Sequence, residues 1–174
     1  MKYIKMVLIS FIVFFVLFTL IGLLFPSSTK AVKAIVVNKS RETVLKELQV
    51  SGSWTKWYPF FQASAGGHID HSEKDTTTLF NDKKTILIFN KKQDSNSVSF
   101  FSRQSNGTLV EQTIMALNVP GDKLQTQIVW HEEERLKWYP WERFRGLVLE
   151  NAKKDYLDTL LNRFKQYMDT LTVH

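Results

Sequence analysis

Residues 31–60 read AVKAIVVNKSRETVLKELQVSGSWTKWYPF, and the order of patterns in this stretch decides the fold. Its first eight residues are rich in Val, Ile and Ala and are bounded by polar residues, which predicts a strand. Ser40 is placed as a helix N-cap, and apolar residues at helical spacing follow it, which predicts a short helix. Trp54 and Trp57 lie three residues apart, a spacing that puts both side chains on one inner face of a helical turn.

Downstream, short runs rich in β-branched and aromatic residues alternate with turn residues, which predicts a series of strands. The turn signals Asn106-Gly107 and Pro120-Gly121 join neighbouring runs so tightly that the strands should be antiparallel. In the last run every second residue is apolar, which predicts burial of one face. The predicted strands are 76–80, 84–90, 97–103, 108–117 and 124–131.

Residues 143–171 read RFRGLVLENAKKDYLDTLLNRFKQYMDTL, and here the apolar period returns to 3.6. About 20 residues from Asn151 onward are predicted to form a long amphipathic helix, with Tyr156 and Phe164 on its apolar stripe and Lys153 off it. A sheet with one apolar face and a helix with one apolar stripe should bury each other.

Residues 6–25 form a run of 20 residues without a charge, predominantly Leu, Ile, Val and Phe. A helix of that length spans roughly the 30 Å hydrocarbon core of a bilayer, so we interpret it as a membrane anchor. The alternative is a cleaved signal peptide with a cleavage-like site at residues 29–31, but the apolar region is longer than the usual 7 to 15 residues. The expected organisation is a basic head at 1–5, the anchor at 6–25, a linker at 26–30 and one domain at 31–174.

The basic residues that flank the anchor are nearly balanced, since Lys2 and Lys5 precede it and Lys30 and Lys33 follow it. The five-residue head also carries the terminal amine, so the positive-inside rule favours a cytoplasmic N-terminus. The domain is then expected on the exported side of the membrane, periplasmic or extracellular.

The composition excludes several classes of protein. With 174 residues, 44% apolar, 13% aromatic and 23% charged, the chain is globular rather than disordered or collagenous. It has no Cys, which excludes disulfides, thiolate metal sites and a cysteine nucleophile. The net charge of +6 is too small to favour a nucleic-acid partner, and we expect none.

The two quoted stretches resemble the START-like superfamily, also called SRPBCC, which includes polyketide cyclases and lipid-transport proteins. In the opening of that superfamily a strand ends at Asn, a short helix follows, and two Trp three apart precede a Pro and an aromatic residue. Residues 143–171 are similar to its closing helix, with Leu-x-x-Phe-Lys where Leu-x-x-Leu-Lys is usual. Leu24-Phe25-Pro26-Ser27 resembles the end of the hydrophobic anchor that some members carry.

The resemblance implies an α+β, helix-grip fold: an antiparallel sheet of six to seven strands curled around the long C-terminal helix, here preceded by a transmembrane helix. Between residues 65 and 75 the chain departs from the usual pattern, and residues 70–75 look irregular.

The same resemblance implies an apolar cavity between sheet and helix, which predicts a hydrophobic or amphipathic small molecule as ligand, with lipid among the candidates. We expect apolar lining rather than catalytic residues, and no cofactor. The predicted cavity-lining residues are Trp57, Phe61, Phe89, Phe101, Met115, Trp130, Leu147, Leu157 and Phe164.

Two polar clusters offer alternatives. His68-x-Asp70-His71 contains metal-ligand types, but no third or fourth ligand is placed by spacing, so we interpret it as a polar loop and expect no metal. His131 and the acidic run 132–134 carry acid/base groups, yet a solvated turn explains them more simply.

We favour a module that binds a hydrophobic ligand, and two other functions stay open beside it. One is an enzyme of the cyclase or hydratase kind that uses the same cavity, with His131 or His68 as acid/base. The other is an interaction module without a ligand. Trp138 and Trp141 flank Pro140 among basic residues, so a role at a membrane surface or a ligand entrance fits them about as well as an ordinary place in the core.

Overall fold

The computed structural model describes residues 2–59, 68–72, 76–81, 85–90, 95–103 and 108–171, with backbone strands alone described between residues 60 and 94. The helices and strands follow in the order that the sequence predicts. They are α1 (Lys2–Leu23), β1 (Ser28–Val37), α2 (Arg41–Gln49), α3 (Ser51–Trp57), β2 (His68–Ser72), β3 (Thr76–Asn81), β4 (Thr85–Asn90), β5 (Ser97–Arg103), β6 (Leu109–Val119), β7 (Asp122–Arg135) and α4 (Pro140–Thr170).

The described strands form one seven-stranded antiparallel sheet in the order β1-β7-β6-β5-β4-β3-β2. The first strand pairs with the last along its whole length, from Ser28 opposite Arg135 to Val37 opposite Thr126. A tight turn joins β6 to β7, where Gly121 has a φ of +86° that favours glycine. Helices α2 and α3 carry the chain from one edge strand, β1, to the other, β2.

Strand alternation gives the sheet two different faces. On β7, Thr126, Ile128 and Trp130 are buried, whereas the residues between them are more exposed. The same alternation on β6 buries Ile114 and Ala116. This inner face packs against α4, and the expected helix-grip architecture is confirmed.

Helix α4 has 31 residues and begins at Pro140, eleven residues before the predicted start at Asn151. Pro suits the first helical position because its missing N–H has no partner there. The apolar period misses the early turns because their apolar residues do not continue the core-facing stripe, whereas the resemblance places the closing helix from residue 143 onward. Phe144, for example, packs against α1, with its ring 4.9 Å from that of Phe18.

Two local predictions were wrong. Strand β2 occupies part of the stretch that looked irregular. Strand β7 continues through the acidic run to Arg135, so residues 132–134 form part of a strand and are not a solvated turn. Both runs are polar in composition, and pairing with β3 in one case and with β1 and β6 in the other fixes them as strands.

Aromatic residues fill the core between the sheet, α3 and α4. Ser40 caps α2 as predicted, since its hydroxyl accepts a hydrogen bond from the N–H of Thr43. Trp54 is buried and donates its indole N–H to the carbonyl of Leu48 at 2.8 Å, which ties α3 to α2. The predicted inward orientation of Trp54 and Trp57 is confirmed, because both side chains are buried.

Helix α1 packs on the first turns of α4. The ring of Phe144 lies 4.9 Å from that of Phe18 and 5.0 Å from that of Phe25. A Cβ on Gly22 would lie 2.9 Å from the Cα of Pro140, so the two helices meet closely at this glycine. By length and composition, Tyr3–Leu23 is long and apolar enough to cross a membrane, and its side chains are almost all exposed.

Candidate functional site

Four of the predicted lining residues come together on the inner side of the sheet. Trp57 from α3, Trp130 from β7, and Leu157 and Phe164 from α4 are all buried. The ring of Trp57 lies 4.8 Å from that of Phe164 and 6.3 Å from that of Trp130, in edge-to-face arrangements. These four side chains lie between the sheet and α4, and we call them the aromatic wall of the candidate site.

The other predicted lining residues lie elsewhere. Phe101 and Met115 occupy the outer face of the sheet, because strand alternation gives the inner face to Phe100 and Ile114 instead. Leu147 lies on an early turn of α4 and is 48% exposed. The Phe89 backbone belongs to β4, whereas its side chain and the whole of Phe61 lie outside the described residues.

One donor in the aromatic wall has no acceptor. The indole Nε1 of Trp57 is buried, and it makes no hydrogen bond within the part of the chain that the structure describes. Leaving a buried N–H unpaired costs about 1 to 3 kcal/mol. A ligand or water oxygen beside this nitrogen would remove that cost.

Polar groups begin next to the wall on the same inner face. Trp130 donates its indole N–H to the side-chain carbonyl of Gln112 at 3.0 Å. Gln112 in turn donates to the hydroxyl of Ser102 at 3.1 Å. All three side chains are buried, so a buried chain of hydrogen bonds joins β7, β6 and β5.

A buried ionic group follows further along β7. Lys153 on α4 places its ammonium 2.9 Å from Glu132 Oε1 and 2.6 Å from Glu134 Oε2. Arg145 pairs with the other oxygen of Glu134 at 3.1 Å and with Glu142 at 3.0 Å. We call Glu132, Glu134, Arg145 and Lys153 the ionic cluster. Buried charges are tolerated when they are paired in this way.

Two phenols lie beside the ionic cluster. The hydroxyls of Tyr58 and Tyr156 are 3.4 Å apart. Burial raises the pKa of Tyr58 well above its usual value, with smaller contributions from Tyr156 and from the charge of Glu132. Burial also raises the pKa of Tyr156. Both phenols therefore keep their protons at neutral pH, and one of them donates to the other.

His131 does not join this site. His131 points to the outer face of β7, opposite Thr113, so it is not the acid/base group of an inner cavity. His68, Asp70 and His71 belong to β2, and their side chains lie outside the described residues. Across the described ranges, no group of three or more metal-ligating side chains lies together.

The inner face of the sheet thus offers an apolar wall that continues into a buried polar end. This arrangement suits a molecule with an apolar body and a polar or hydrogen-bonding terminus. The polar end also holds carboxylate, ammonium and phenol groups, the types that transfer protons in enzymes.

The fold itself matches solved structures. A START superfamily protein from Mycobacterium smegmatis has a TM-score of 0.62 and 16% identity, covering 82% of this chain and 99% of its own. Norcoclaurine synthase from Thalictrum flavum, in complex with dopamine and hydroxybenzaldehyde, has a TM-score of 0.61 and 12% identity, covering 88% and 94%. The chain has a START-like fold.

A third similar structure is the di-domain ARO/CYC BexL, with a TM-score of 0.59 and 10% identity, covering 84% of this chain and 52% of that one. No family model matches the chain, and no curated protein is significantly similar to it in sequence. At these identities the likeness shows the START-like fold alone.

Sequence reasoning missed the ionic cluster, although a signal was present. Glu132 and Glu134 continue the alternation of Ile128 and Trp130, so the period of two places all four on one face. Lys153 was assigned to the polar side of its helix because it is charged. Its position four residues before Leu157 puts it on the buried stripe instead.

Proposed function

We propose that this protein is a membrane-anchored START-like domain that binds a hydrophobic or amphipathic small molecule between its sheet and α4, with lipids among the candidate ligands. One observation carries the proposal. Along the inner face of β7, the buried aromatic Trp130 is followed by the buried carboxylates of Glu132 and Glu134. The inner face of β7 therefore carries an apolar side chain at one end and paired charges at the other.

The unpaired indole N–H of Trp57 supports this proposal. Aromatic rings provide a large contact area with little loss of conformational entropy, and a buried donor adds direction to that contact. Norcoclaurine synthase, which has the same fold, forms a complex with dopamine and hydroxybenzaldehyde. Those molecules are small and aromatic and carry hydrogen-bonding groups, a combination that this face also suits.

The packing of α1 supports the membrane anchor. Gly22 and Phe18 of α1 contact Pro140 and Phe144 of α4, so the apolar helix is part of the folded unit. Removing a signal peptide would expose Phe144 and Pro140. An uncleaved anchor keeps the site at the bilayer surface, where hydrophobic molecules concentrate.

Photo-crosslinking in the membrane tests the ligand proposal. The full chain in lipid vesicles is irradiated with a diazirine-bearing fatty acid, and modified peptides are mapped by mass spectrometry. We expect adducts on the inner-face segments of β7 and α4 that unlabelled fatty acid suppresses. Adducts confined to α1 and to residues 138–148 would contradict the proposal, because they would report contact with bulk lipid alone.

Matched indole variants sharpen this test. Trp57→Phe deletes the buried N–H and keeps most of the ring, so inner-face adducts should fall about two- to tenfold, as expected for one lost hydrogen bond. Trp138→Phe makes the same chemical change at an exposed position and should leave those adducts unchanged. Equal effects of the two variants would show that the indole N–H of Trp57 does not contact the ligand.

The ionic cluster favours a second candidate, an enzyme of the cyclase or hydratase kind. Glu132 lies 2.9 Å from the ammonium of Lys153 and near the phenol of Tyr58, so carboxylate, ammonium and phenol adjoin the aromatic wall. The test incubates any compound released from the protein with fresh protein and follows its mass. Loss or gain of one water, or a change in chromatographic retention at constant mass, would support an enzyme if Glu132→Gln abolishes it. An unchanged mass together with an unchanged retention would contradict an enzyme.

A further inference from the structure

The first turns of α4 run beside the end of the apolar helix α1. The ring of Phe144 lies between those of Phe18 and Phe25, at 4.9 Å and 5.0 Å. Phe18 precedes the last residue of α1, Leu23, by five positions, or roughly 7 Å along a helix. Phe144 therefore lies at the depth of the final turns of the membrane-spanning segment.

Around Phe144 the protein exposes large apolar side chains to solvent. Trp138 is 62% exposed, Trp141 56% and Val148 75%. Positions 141, 144 and 148 fall on one face of α4, since their spacings of three and seven residues match helical turns. We call Trp138, Trp141, Phe144 and Val148 the aromatic patch. Large exposed apolar side chains grouped in this way favour contact with a protein or a membrane.

The chemistry beside the patch is that of a membrane interface. Tyr139 lies between the two tryptophans, with its ring 5.4 Å from Trp138 and 4.8 Å from Trp141. The ammonium of Lys137 lies 5.8 Å from the Tyr139 ring centre. Trp and Tyr collect at the level of lipid headgroups, and Lys extends its charge toward them.

We infer that the aromatic patch lies in the headgroup region of the bilayer, so that the domain rests directly on the membrane instead of hanging from a flexible tether. The inference rests on the proposed anchor and commits to lipid as the occupant, because the patch is continuous with α1. Arg145 and Glu134 of the ionic cluster lie at the same end of the domain, so the polar end of the candidate site faces the membrane.

Quenching of Trp fluorescence tests the inference on the full chain in nanodiscs. Lipids carry bromine either near the headgroup or near the chain end, and wild type is compared with the double variant Trp138→Phe/Trp141→Phe. Both proteins keep the three buried tryptophans, so the difference reports the exposed pair. We expect shallow bromine to quench wild type more strongly than deep bromine, and the double variant to lose most of that quenching.

Two further variants, each with one tryptophan added to the double variant, test the membrane anchor independently of the aromatic patch. Phe14→Trp, near the middle of α1, should be quenched most by deep bromine. Leu124→Trp lies roughly 35 Å along β7 from its membrane end and should not be quenched.

If Phe14→Trp is quenched while the exposed pair is not, the inference fails and the anchor stands, and a dimer mass in the same nanodiscs would assign the patch to a second copy. If no position is quenched, the anchor and the inference both fail.

Discussion

The ammonium of Lys153 lies 2.6 Å from Glu134 Oε2, with both side chains buried between sheet and helix. The pair joins α4 to the last strand at the point where the inner face changes from aromatic to charged. Buried ion pairs are often no more stabilising than apolar residues of equal volume. In the function proposed above, the ionic cluster supplies the polar end of the ligand site.

The ionic cluster makes a direct prediction for stability. Lys153→Met leaves Glu132 buried without its cation and leaves Glu134 with Arg145 alone, so the free energy of unfolding should fall by about 3 to 5 kcal/mol. Lys154→Met removes the neighbouring lysine, whose pair with Glu150 is exposed, and should change stability by less than about 1 kcal/mol. Urea unfolding of the full chain in detergent micelles measures both. Similar losses for the two variants would contradict the described burial of Lys153.

Alkaline pH should destabilise the fold through Tyr58. The folded state raises the pKa of this phenol, chiefly by burial, so it holds its proton more tightly than the unfolded chain does. Its contribution is fully present below pH of about 10, the unfolded value, and is lost as pH rises through the folded-state pKa. Thermal unfolding followed from neutral to alkaline pH should show this loss. Tyr58→Phe should reduce it, and Tyr139→Phe, at a less buried position, should not.

Gly146 should tolerate no β-branched residue. A Cβ there would overlap Leu136 Cδ1 and lie 3.1 Å from Thr29 Cγ2, where α4 crosses the start of β1. Gly146→Val should lower stability by about 1 to 3 kcal/mol through overpacking. Gly52→Ala serves as the control, because nothing lies within 4 Å of its added Cβ. It should be neutral or stabilising by up to about 1 kcal/mol, and a comparable loss at both sites would refute the close packing at Gly146.

Cysteines can test the contact between α1 and α4, since the chain has none of its own. Phe18→Cys/Phe144→Cys should cross-link efficiently with a short bifunctional thiol reagent in vesicles. Leu20→Cys/Phe144→Cys should not, because two residues along a helix turn the side chain to nearly the opposite side. Adding Gly22→Leu should also reduce the cross-link, since the larger side chain meets the backbone of Pro140. Equal cross-linking of both pairs would show that α1 does not pack as described.

The sequence predicted the architecture well because the apolar period is strong in the decisive elements. The Ser40 cap, the inward Trp54 and Trp57, and the antiparallel strands all follow from local spacing and turn chemistry. The early turns of α4 do not follow from local spacing, because the apolar side chain of Phe144 packs against α1 and not against the core. Such a contact depends on tertiary structure and leaves no periodic signal.

The candidate site was only partly predictable. Aromatic residues were rightly assigned to the inner side in the case of Trp57 and Trp130, whereas Phe101 and Met115 required knowledge of which strand face is buried. Charge suggested exposure for Glu134 and Lys153, but each is neutralised by a partner that is distant in sequence. Pairing of that kind appears only when the strand and the helix are in place.

Native mass spectrometry of the full chain, purified gently in detergent from its source cells, tests the central claim most directly. The account predicts a discrete added mass that denaturation releases as one hydrophobic or amphipathic compound, and Trp57→Phe should retain less of it than Trp138→Phe. A bare protein mass in repeated preparations, with no inner-face adducts from the photoreactive fatty acid, would contradict ligand binding. The domain would then be an interaction module at the membrane.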